Sequence, residues 1–261
     1  MLIYYINLAY RTDRRAAIEA QLDLMGLPAT RIEGVTPADL EPGQLQRHCD
    51  RRSLRWSTPA ELSCSLSHHA ALRAFLASND SHALILEDDV ILASGLPALL
   101  TEPMPDCDIL RLETFLIPQH LGGAPEGRMP QGALFAIHGW CWGTAAYVIS
   151  RRGAWTLLAD TAALSTPFDQ TIFNRYRGPG AHLQSWQLVP ALAIQSHHRD
   201  QVPAVSDIGQ VTPAPSGKSP FREKLHGFLR WWETEIAMGL PKSLNLALKR
   251  TTRGIVPFAG D

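Results

Sequence analysis

No stretch of the 261-residue sequence approaches the roughly 20 consecutive apolar residues that a membrane-spanning helix needs. The apolar opening, Leu2 to Leu8, is interrupted by Asn7 and runs straight into Arg11, Asp13, Arg14 and Arg15, so it does not read as a secretory signal. Cysteine is scarce: Cys49, Cys64, Cys107 and Cys141 are widely spaced with no C-x-x-C pair, which argues against a structural zinc site. A chain of this length is stabilised by its core and needs no disulfide framework. These absences together give the expectation of a cytosolic chain with reduced thiols. An excess of one charge is also missing: 24 Lys and Arg face 25 Asp and Glu, for a net charge of −1, so no global field attracts nucleic acid. The sequence has no G-x-S-x-G, H-E-x-x-H or P-loop run, which removes the support for a hydrolase, zincin or NTPase. Ser65 and Ser67 beside His68 do not amount to a triad, which is a matter of spatial geometry.

What the sequence does have is the composition of an ordinary globular protein, 45% hydrophobic and 19% charged, enough for one large domain or a domain with a small appendage. Leu2-Ile3-Tyr4-Tyr5-Ile6 reads as a buried strand. Thr12 offers a helix N-cap, Ile18, Leu22 and Met25 follow at helical spacing, and Gly26 stops the helix. A strand around Thr30 to Val35 completes a β-α-β unit. Residues 36–58 suggest a long surface loop; Pro59 then opens a helix with Leu62, Leu66, Leu72 and Leu76 on one face. Ala83-Leu84-Ile85-Leu86 is the clearest strand, and further strands are expected at 108–112, 133–137 and 145–149, with a mobile Gly- and Pro-rich loop over 118–132. Helical patterns return after Ser150 and after Pro167. The alternation predicts an α/β fold with a mostly parallel sheet.

The strand at 83–86 ends in Glu87-Asp88-Asp89. Ligands of open α/β sheets bind beyond the carboxyl ends of strands. Three consecutive acids there repel one another unless a cation or hydrogen bonds compensate, and Mg²⁺ or Mn²⁺ takes such oxygen ligands while keeping positions for phosphate. Strand alternation lets Glu87 and Asp89 point the same way. A solvated acidic turn capping the strand is the competing reading, and the motif alone does not separate one Mg²⁺–phosphate enzyme from another.

The wider context narrows the choice. Tyr5-Ile6-Asn7-Leu8 is followed by Arg11 and Asp13-Arg14, then Glu61-Leu62-Ser63-Cys64-Ser65-Leu66-Ser67-His68, Leu84 to Val90, Gly143-Thr144-Ala145-Ala146-Tyr147-Val148-Ile149-Ser150-Arg151, and Pro167-Phe168-Asp169. In this order and at these intervals the sequence resembles glycosyltransferase family 25 over roughly residues 1–210. Ser63 departs from the glycine that the family usually has in its second block. The resemblance implies a GT-A-type, Rossmann-like open sheet flanked by helices, a UDP-sugar donor (commonly UDP-galactose), a glycan or glycolipid acceptor such as a lipooligosaccharide core, and inversion at the anomeric carbon. It implies Glu87 and Asp89 as ligands of Mn²⁺ or Mg²⁺, with Asp88 beside them at the donor, and Asp169 as catalytic base. Asn7, Arg11 and Arg14, beyond the first strand, suit the nucleotide side, and Glu61 and His68 match the second block. The Gly139-Trp140-Cys141-Trp142-Gly143-Thr144 turn lets backbone approach the diphosphate through Gly143 and Thr144 while a tryptophan stacks on a sugar. His197, after a strand-like segment, is a further metal ligand by fold analogy alone. His69 falls among the leucines of its helix and reads as a core histidine.

Three other readings compete. A nucleotidyltransferase would carry a glycine-rich phosphate loop after its first strand, where Asn7-Leu8-Ala9-Tyr10 has no glycine. A receiver-like module would be shorter, with its acids nearer the first strand. A non-catalytic carbohydrate-binding relative would be free to lose Glu87, Asp88, Asp89 or Asp169. Beyond residue 210, prolines 213, 215 and 220 suggest a linker, followed by a basic amphipathic tail with Phe221, Phe228 and Trp232. Such a helical appendage, residues 211–261, is suited to lying on an anionic membrane surface or packing on protein.

Overall fold

The computed structural model describes residues 1–139, 141–199, 239–248 and 250–260. Trp140, the expected boundary near residue 210 and the amphipathic stretch 221–236 lie outside the described residues.

Among the described residues thirteen strands run in chain order: β1 Leu2–Asn7, β2 Thr30–Glu33, β3 His82–Glu87, β4 Val90–Leu92, β5 Ile109–Arg111, β6 Glu113–Thr114, β7 Pro118–Gly122, β8 Gly127–Met129, β9 Gly132–Ala136, β10 Ala146–Ser150, β11 Ser185–Val189, β12 Ala193–Gln195 and β13 Thr251–Ile255. The helices are α1 Thr12–Leu24, α2 Pro42–His48, α3 Pro59–Leu76, α4 Leu96–Thr101, α5 Arg151–Ala159, α6 Phe168–Ile172, α7 Ser196–Arg199 and α8 Gly239–Ala247. An eight-stranded sheet in the order β2-β1-β3-β10-β5-β11-β9-β8 forms the centre, with a small sheet β4-β12-β6 and a ribbon β13-β7 beside it. The fold is α/β, an open sheet flanked by helices.

β3 shows why the sheet is buried on both faces. Leu84 and Leu86 pack with Ile18 and Leu22 of α1 and Leu96 and Leu99 of α4, while Ala83 and Ile85 pack with Leu72 and Phe75 of α3 and Leu157 of α5. Alternation along one strand thus feeds two helical layers, which is why the run 83–86 is apolar without a polar face. By the same parity Glu87 falls on the α3 side.

The expected β-α-β unit is present, with β1 parallel to both β2 and β3. The sheet, however, is mixed: β10 runs antiparallel between β3 and β5, and at the far edge β9 runs antiparallel to β11 and β8 antiparallel to β9. Residues 133–137 and 145–149 therefore flank one turn in sequence yet do not pair with each other. Thr12 is the first helical residue of α1, with Arg11 at the cap position, and Gly26 ends that helix at φ +66°. The surface loop expected over 36–58 holds a 3₁₀ turn at Pro37–Asp39 and the helix α2. The loop expected over 118–132 is two strands, β7 and β8. β7 gains order from far along the chain: β13 pairs with it antiparallel, and Val256 and Phe258 beyond β13 are buried. The region beyond 210 accordingly includes a helix, α8, and also a strand that returns to the main domain.

Candidate active site

Beyond the carboxyl ends of β1 and β3 lies a cavity of about 960 Å³. Most of the residues singled out in the sequence line it: Arg11, Arg14, Glu61, His68, Glu87, Asp88, Asp89, Gly143, Thr144, Asp169 and His197. Asn7 is the exception. It is buried beneath the site, where its side-chain amide donates to Asp88 Oδ2 at 2.7 Å and its carbonyl oxygen accepts from Arg31 at 2.9 Å, so it orients Asp88 and does not face the cavity.

The acidic run sits where β3 gives way to β4. β12 pairs with β4 so that Gln195 lies opposite Val90, and Ser196 N–H donates to Asp89 O at 2.9 Å. This register brings Gln195 and His197 to the acids from more than 100 residues along the chain. Gln195 Nε2 donates to Asp89 Oδ1 at 3.1 Å and to Glu87 Oε2 at 3.5 Å, while Arg14 reaches Asp89 at 3.2 Å and Asp88 at 3.4 Å. Burial, and then the Glu87 charge, push the Asp89 carboxyl up to about 6 despite Arg14. Glu87 moves the other way: burial raises it, but hydrogen bonds from His68 and Thr144 hold it below the usual range. Negative charge in this cluster is only partly compensated by Arg14. Its carboxylate donors, with a carboxamide beside them, are those a hard divalent cation takes.

On the opposite wall, α3 presents Glu61, Cys64 and His68 at i, i+3 and i+7, one helical face turned to the cavity. Glu61 has a local duty there: its carboxylate accepts from Thr58 N and Oγ1, at 2.7 and 2.9 Å, while Thr58 Oγ1 accepts from Glu61 N–H, a capping box at the start of α3. His68 is buried and stacked on Phe168, with ring centroids 4.4 Å apart; its Nδ1 lies 3.1 Å from Tyr147 Oη, and its Nε2 lies 3.3 Å from Glu87 and 3.2 Å from Thr144. Thr144 Oγ1 donates to Glu87 at 3.0 Å. His69 is the core histidine the pattern suggested, and burial lowers it to about 4.

Asp169 lies in the first turn of α6 and faces the same cavity. Its Oδ1 accepts from Gln170 N–H at 2.7 Å and its Oδ2 from Gly143 N–H at 3.5 Å. Burial pushes its carboxyl up to about 6, reinforced by the charges of Glu61 and Glu87 and only partly offset by the two N–H donors. Arg11 forks onto Asp13 at 2.8 and 3.0 Å at the rim. His197 lines the cavity beside His198, and burial and Arg14 together lower its pKa.

Four residues at or behind the site were not singled out by sequence reasoning: Gln195, Cys64, Arg111 and Glu113. Arg111 and Glu113 have no exposed surface and hold the Trp142–Ala145 segment from below. Arg111 donates to Trp142 O at 2.6 Å, and Glu113 Oε2 accepts from Ala145 N–H at 2.9 Å, so the pair grips both ends of the strip that carries Gly143 and Thr144. Gly143 adopts φ +79°, and a Cβ there would sit 2.3 Å from the Phe115 ring and 2.8 Å from Glu113 Oε1, so only glycine fits. The signal was present in Arg111-Leu112-Glu113: two charges at i and i+2 share one face of an otherwise apolar strand.

Burial pushes Glu113 up to about 8, more than the guanidinium of Arg111 pulls it down, which favours its neutral form. Glu113→Gln is therefore expected to leave stability within about 1 kcal/mol, because the amide oxygen still accepts from Ala145 N–H. Glu113→Ala strands that N–H and one side of Arg111, at a cost of about 2–4 kcal/mol. Urea unfolding of both variants at pH 7 checks this; equal losses would mean that a charged Glu113 is what matters.

Comparison with known proteins adds to this geometry. The family described as "Glycosyltransferase family 25 (LPS biosynthesis protein)" matches residues 1–172. The lacto-N-neotetraose biosynthesis glycosyltransferase LgtB of Neisseria meningitidis serogroup A is 29% identical over 214 residues, covering 75% of this chain and 74% of that protein. A human protein named inactive glycosyltransferase 25 family member 3 is 28% identical over 242 residues, covering 81% of this chain and 39% of its own length. Among solved structures, a glycosyltransferase involved in glycosylation of the major capsid of PBCV-1 covers 88% of this chain and 98% of its own at 13% identity, with a TM-score of 0.39, too loose a likeness to bear on the reaction.

Proposed function

The chain belongs to glycosyltransferase family 25, and on that premise we propose that it is an active, inverting hexosyltransferase that moves galactose from UDP-galactose to a saccharide acceptor. The observation that carries this reading is the convergence of Glu87, Asp89 and Asp169 on one cavity together with Arg11 and Arg14. The family includes proteins named inactive, so membership alone does not decide for catalysis; the acids retained on that cavity favour it. The name of the meningococcal relative points to a lipooligosaccharide-type glycan as acceptor. No helix among the described residues is long and apolar enough to cross a membrane, and the basic tail beyond residue 210 would bring the protein to a lipid-linked acceptor at the cytoplasmic face.

In this mechanism the Asp169 carboxylate accepts the proton of the acceptor hydroxyl as its oxygen attacks the anomeric carbon and the bond to UDP breaks on the opposite face. Gly143 N–H and Gln170 N–H hold the carboxylate in place. An acid near 6 is ionised at neutral pH yet basic enough to take a proton in the transition state. Arg11 and Arg14 supply fixed positive charge for the departing diphosphate, Arg14 at the cost of weaker pairing with Asp88 and Asp89. A bound Mn²⁺ or Mg²⁺, held by Glu87 and Asp89 with His197 as a further candidate, supplies Lewis-acid neutralisation of that diphosphate. Asn7 keeps Asp88 turned to the donor side, and Thr144 and His68 keep Glu87 ionised.

The test is UDP release from a panel of UDP-sugars with Mn²⁺, with and without EDTA, alongside calorimetric titration of UDP. UDP-galactose is expected to be turned over, slowly without acceptor, and EDTA to stop it. No turnover of any donor, combined with no Mn²⁺-dependent UDP binding, would move the chain to the non-catalytic carbohydrate-binding reading.

A further inference from the structure

The cavity holds a second set of donors that the transferase chemistry does not use as a set. Cys64 and His68 are one turn apart on the inward face of α3, and Glu87 at the end of β3 meets them. One ligand atom from each lies within 4.8 Å of the other two. A tetrahedral zinc site with bonds of about 2.0–2.3 Å needs its ligands about 3.3–3.7 Å apart, so closure asks for roughly 1 Å of side-chain movement. Cys64 borders the cavity and is half-buried, and burial with the charges of Glu87 and Asp169 holds its thiol well above the ordinary value, so the cation itself must displace the proton; Thr144 Oγ1, 3.2 Å from His68 Nε2 and 3.0 Å from Glu87, is the neighbour that must give way.

The imidazole is already oriented for this. His68 Nε2 is the nitrogen facing Glu87, and Nδ1 lies 3.1 Å from Tyr147 Oη. A metal-ligating histidine characteristically gives its other N–H to such a partner, which fixes the tautomer. Burial keeps the Tyr147 phenol protonated and neutral, so it offers an oxygen without competing for the cation. The stack on Phe168 holds the ring plane.

We propose that Cys64, His68 and Glu87 form a site for a thiophilic divalent cation, Zn²⁺ above all, distinct by its thiolate donor from the carboxylate site of the acidic run. Binding replaces the Cys64 S–H bond with S–Zn and releases one proton to solvent. Because Glu87 belongs to both sets, zinc withdraws it from the hard-ion site, and Zn²⁺ inhibits donor binding in competition with Mn²⁺. That inhibitory consequence rests on the transferase reading; the site itself does not.

Co²⁺ reports the site without any donor sugar, because a cobalt–thiolate bond adds an intense near-ultraviolet charge-transfer band and tetrahedral Co²⁺ adds visible bands. Titrating the whole chain with Co²⁺ is expected to develop both to saturation at one equivalent, and Zn²⁺ to bleach them. Cys64→Ser removes the ultraviolet band, and Cys107→Ser keeps it. Serines already flank position 64 on α3, so the variant is expected to fold, as its melting temperature will show. Should it not fold, alkylation of the unaltered chain at mildly alkaline pH, mapped by mass spectrometry, replaces it, with Co²⁺ expected to slow labelling of Cys64 and to leave that of the half-buried Cys49 unchanged. A wild-type titration without the thiolate band, or a band that survives Cys64→Ser, overturns the proposal. Mn²⁺-dependent UDP binding, measured on the same Cys64→Ser protein and expected to persist, separates that failure from a failure of the transferase reading.

Discussion

Asp169→Asn is expected to slow transfer from UDP-galactose by about 10²–10⁴-fold, the range removed with a general base, while Mn²⁺-dependent UDP affinity stays within about threefold. Asparagine keeps one of the two oxygens, enough for the shorter bond from Gln170 N–H, and gives up only the 3.5 Å contact with Gly143 N–H, so the turn is held while the proton acceptor is lost. In the unaltered protein, kcat/KM should fall as pH drops through about 6, where Asp169 takes up a proton, and the residual activity of the variant should lack that limb. The same shift predicts a stability effect of opposite sense. The folded-state pKa lies above the ordinary carboxyl value of 3.8, so the folded chain binds the proton more tightly than the unfolded one. Ionising Asp169 therefore costs stability progressively as pH rises from 3.8 to about 6, and the cost stays constant above that. Neutral asparagine escapes it. The metal-free variant should be more stable than wild type at pH 8, by on the order of 1–3 kcal/mol, and no more stable at pH 4. Thermal melts at the two pH values, run beside the rate profile, check both effects. A variant that loses activity and stability together at pH 8 would assign Asp169 a structural role instead.

The place of Asp169 on the cavity was legible because it combines a local signal, an acid two residues past Pro167 at a helix start, with a family pattern in chain order. β1, β3 and α3 were legible for a simpler reason: their apolar spacing is strong and their partners are near in sequence. Contacts set by distant pairings were not. Nothing in 118–122 shows that residues 251–255 will pair with it, so Gly- and Pro-rich sequence there reads as loop. Likewise β10 looks like one more strand of a parallel sheet until its insertion between β3 and β5 reverses it. Gln195 escaped notice because a carboxamide carries no charge signal, and it reaches the acids only through the register of β12 on β4. The capping duty of Glu61 was not read from the sequence: it faces the cavity as expected, and its carboxylate also caps α3. Side chains whose role is defined by a neighbour in sequence were readable; those defined by a strand pairing were not.

Asp89→Ala is expected to have the largest effect of all on donor binding: Mn²⁺-dependent UDP affinity should fall by about 100-fold or more, with transfer undetectable. The acidic cluster explains why the loss should exceed that of an ordinary surface carboxylate. Asp89 is held by Gln195 at 3.1 Å and Arg14 at 3.2 Å, yet burial and Glu87 still push it up to about 6. Its protein partners therefore undercompensate its charge, and on the proposed reading a divalent cation would supply what they lack. That imbalance would give the site its affinity, since a fully neutralised carboxylate would have none left for the ion. Without the cation, Asp89 should destabilise the fold at neutral pH, so Asp89→Ala is expected to melt no lower than wild type in EDTA and clearly lower with Mn²⁺ and UDP present. Asp23→Ala, at an exposed position in α1, is the control expected to change neither. Asn7→Ala, which removes the hydrogen bond orienting Asp88 together with those to Arg31 and Arg11 O but no carboxylate, should weaken UDP binding by much less, on the order of tenfold. Calorimetric titration of UDP into each variant, at matched Mn²⁺, ranks them. Should Asp89→Ala bind UDP as tightly as wild type, with the same Mn²⁺ dependence, the ion would have to be held elsewhere in the cavity, and the solvated acidic turn would become the better account of 87–89.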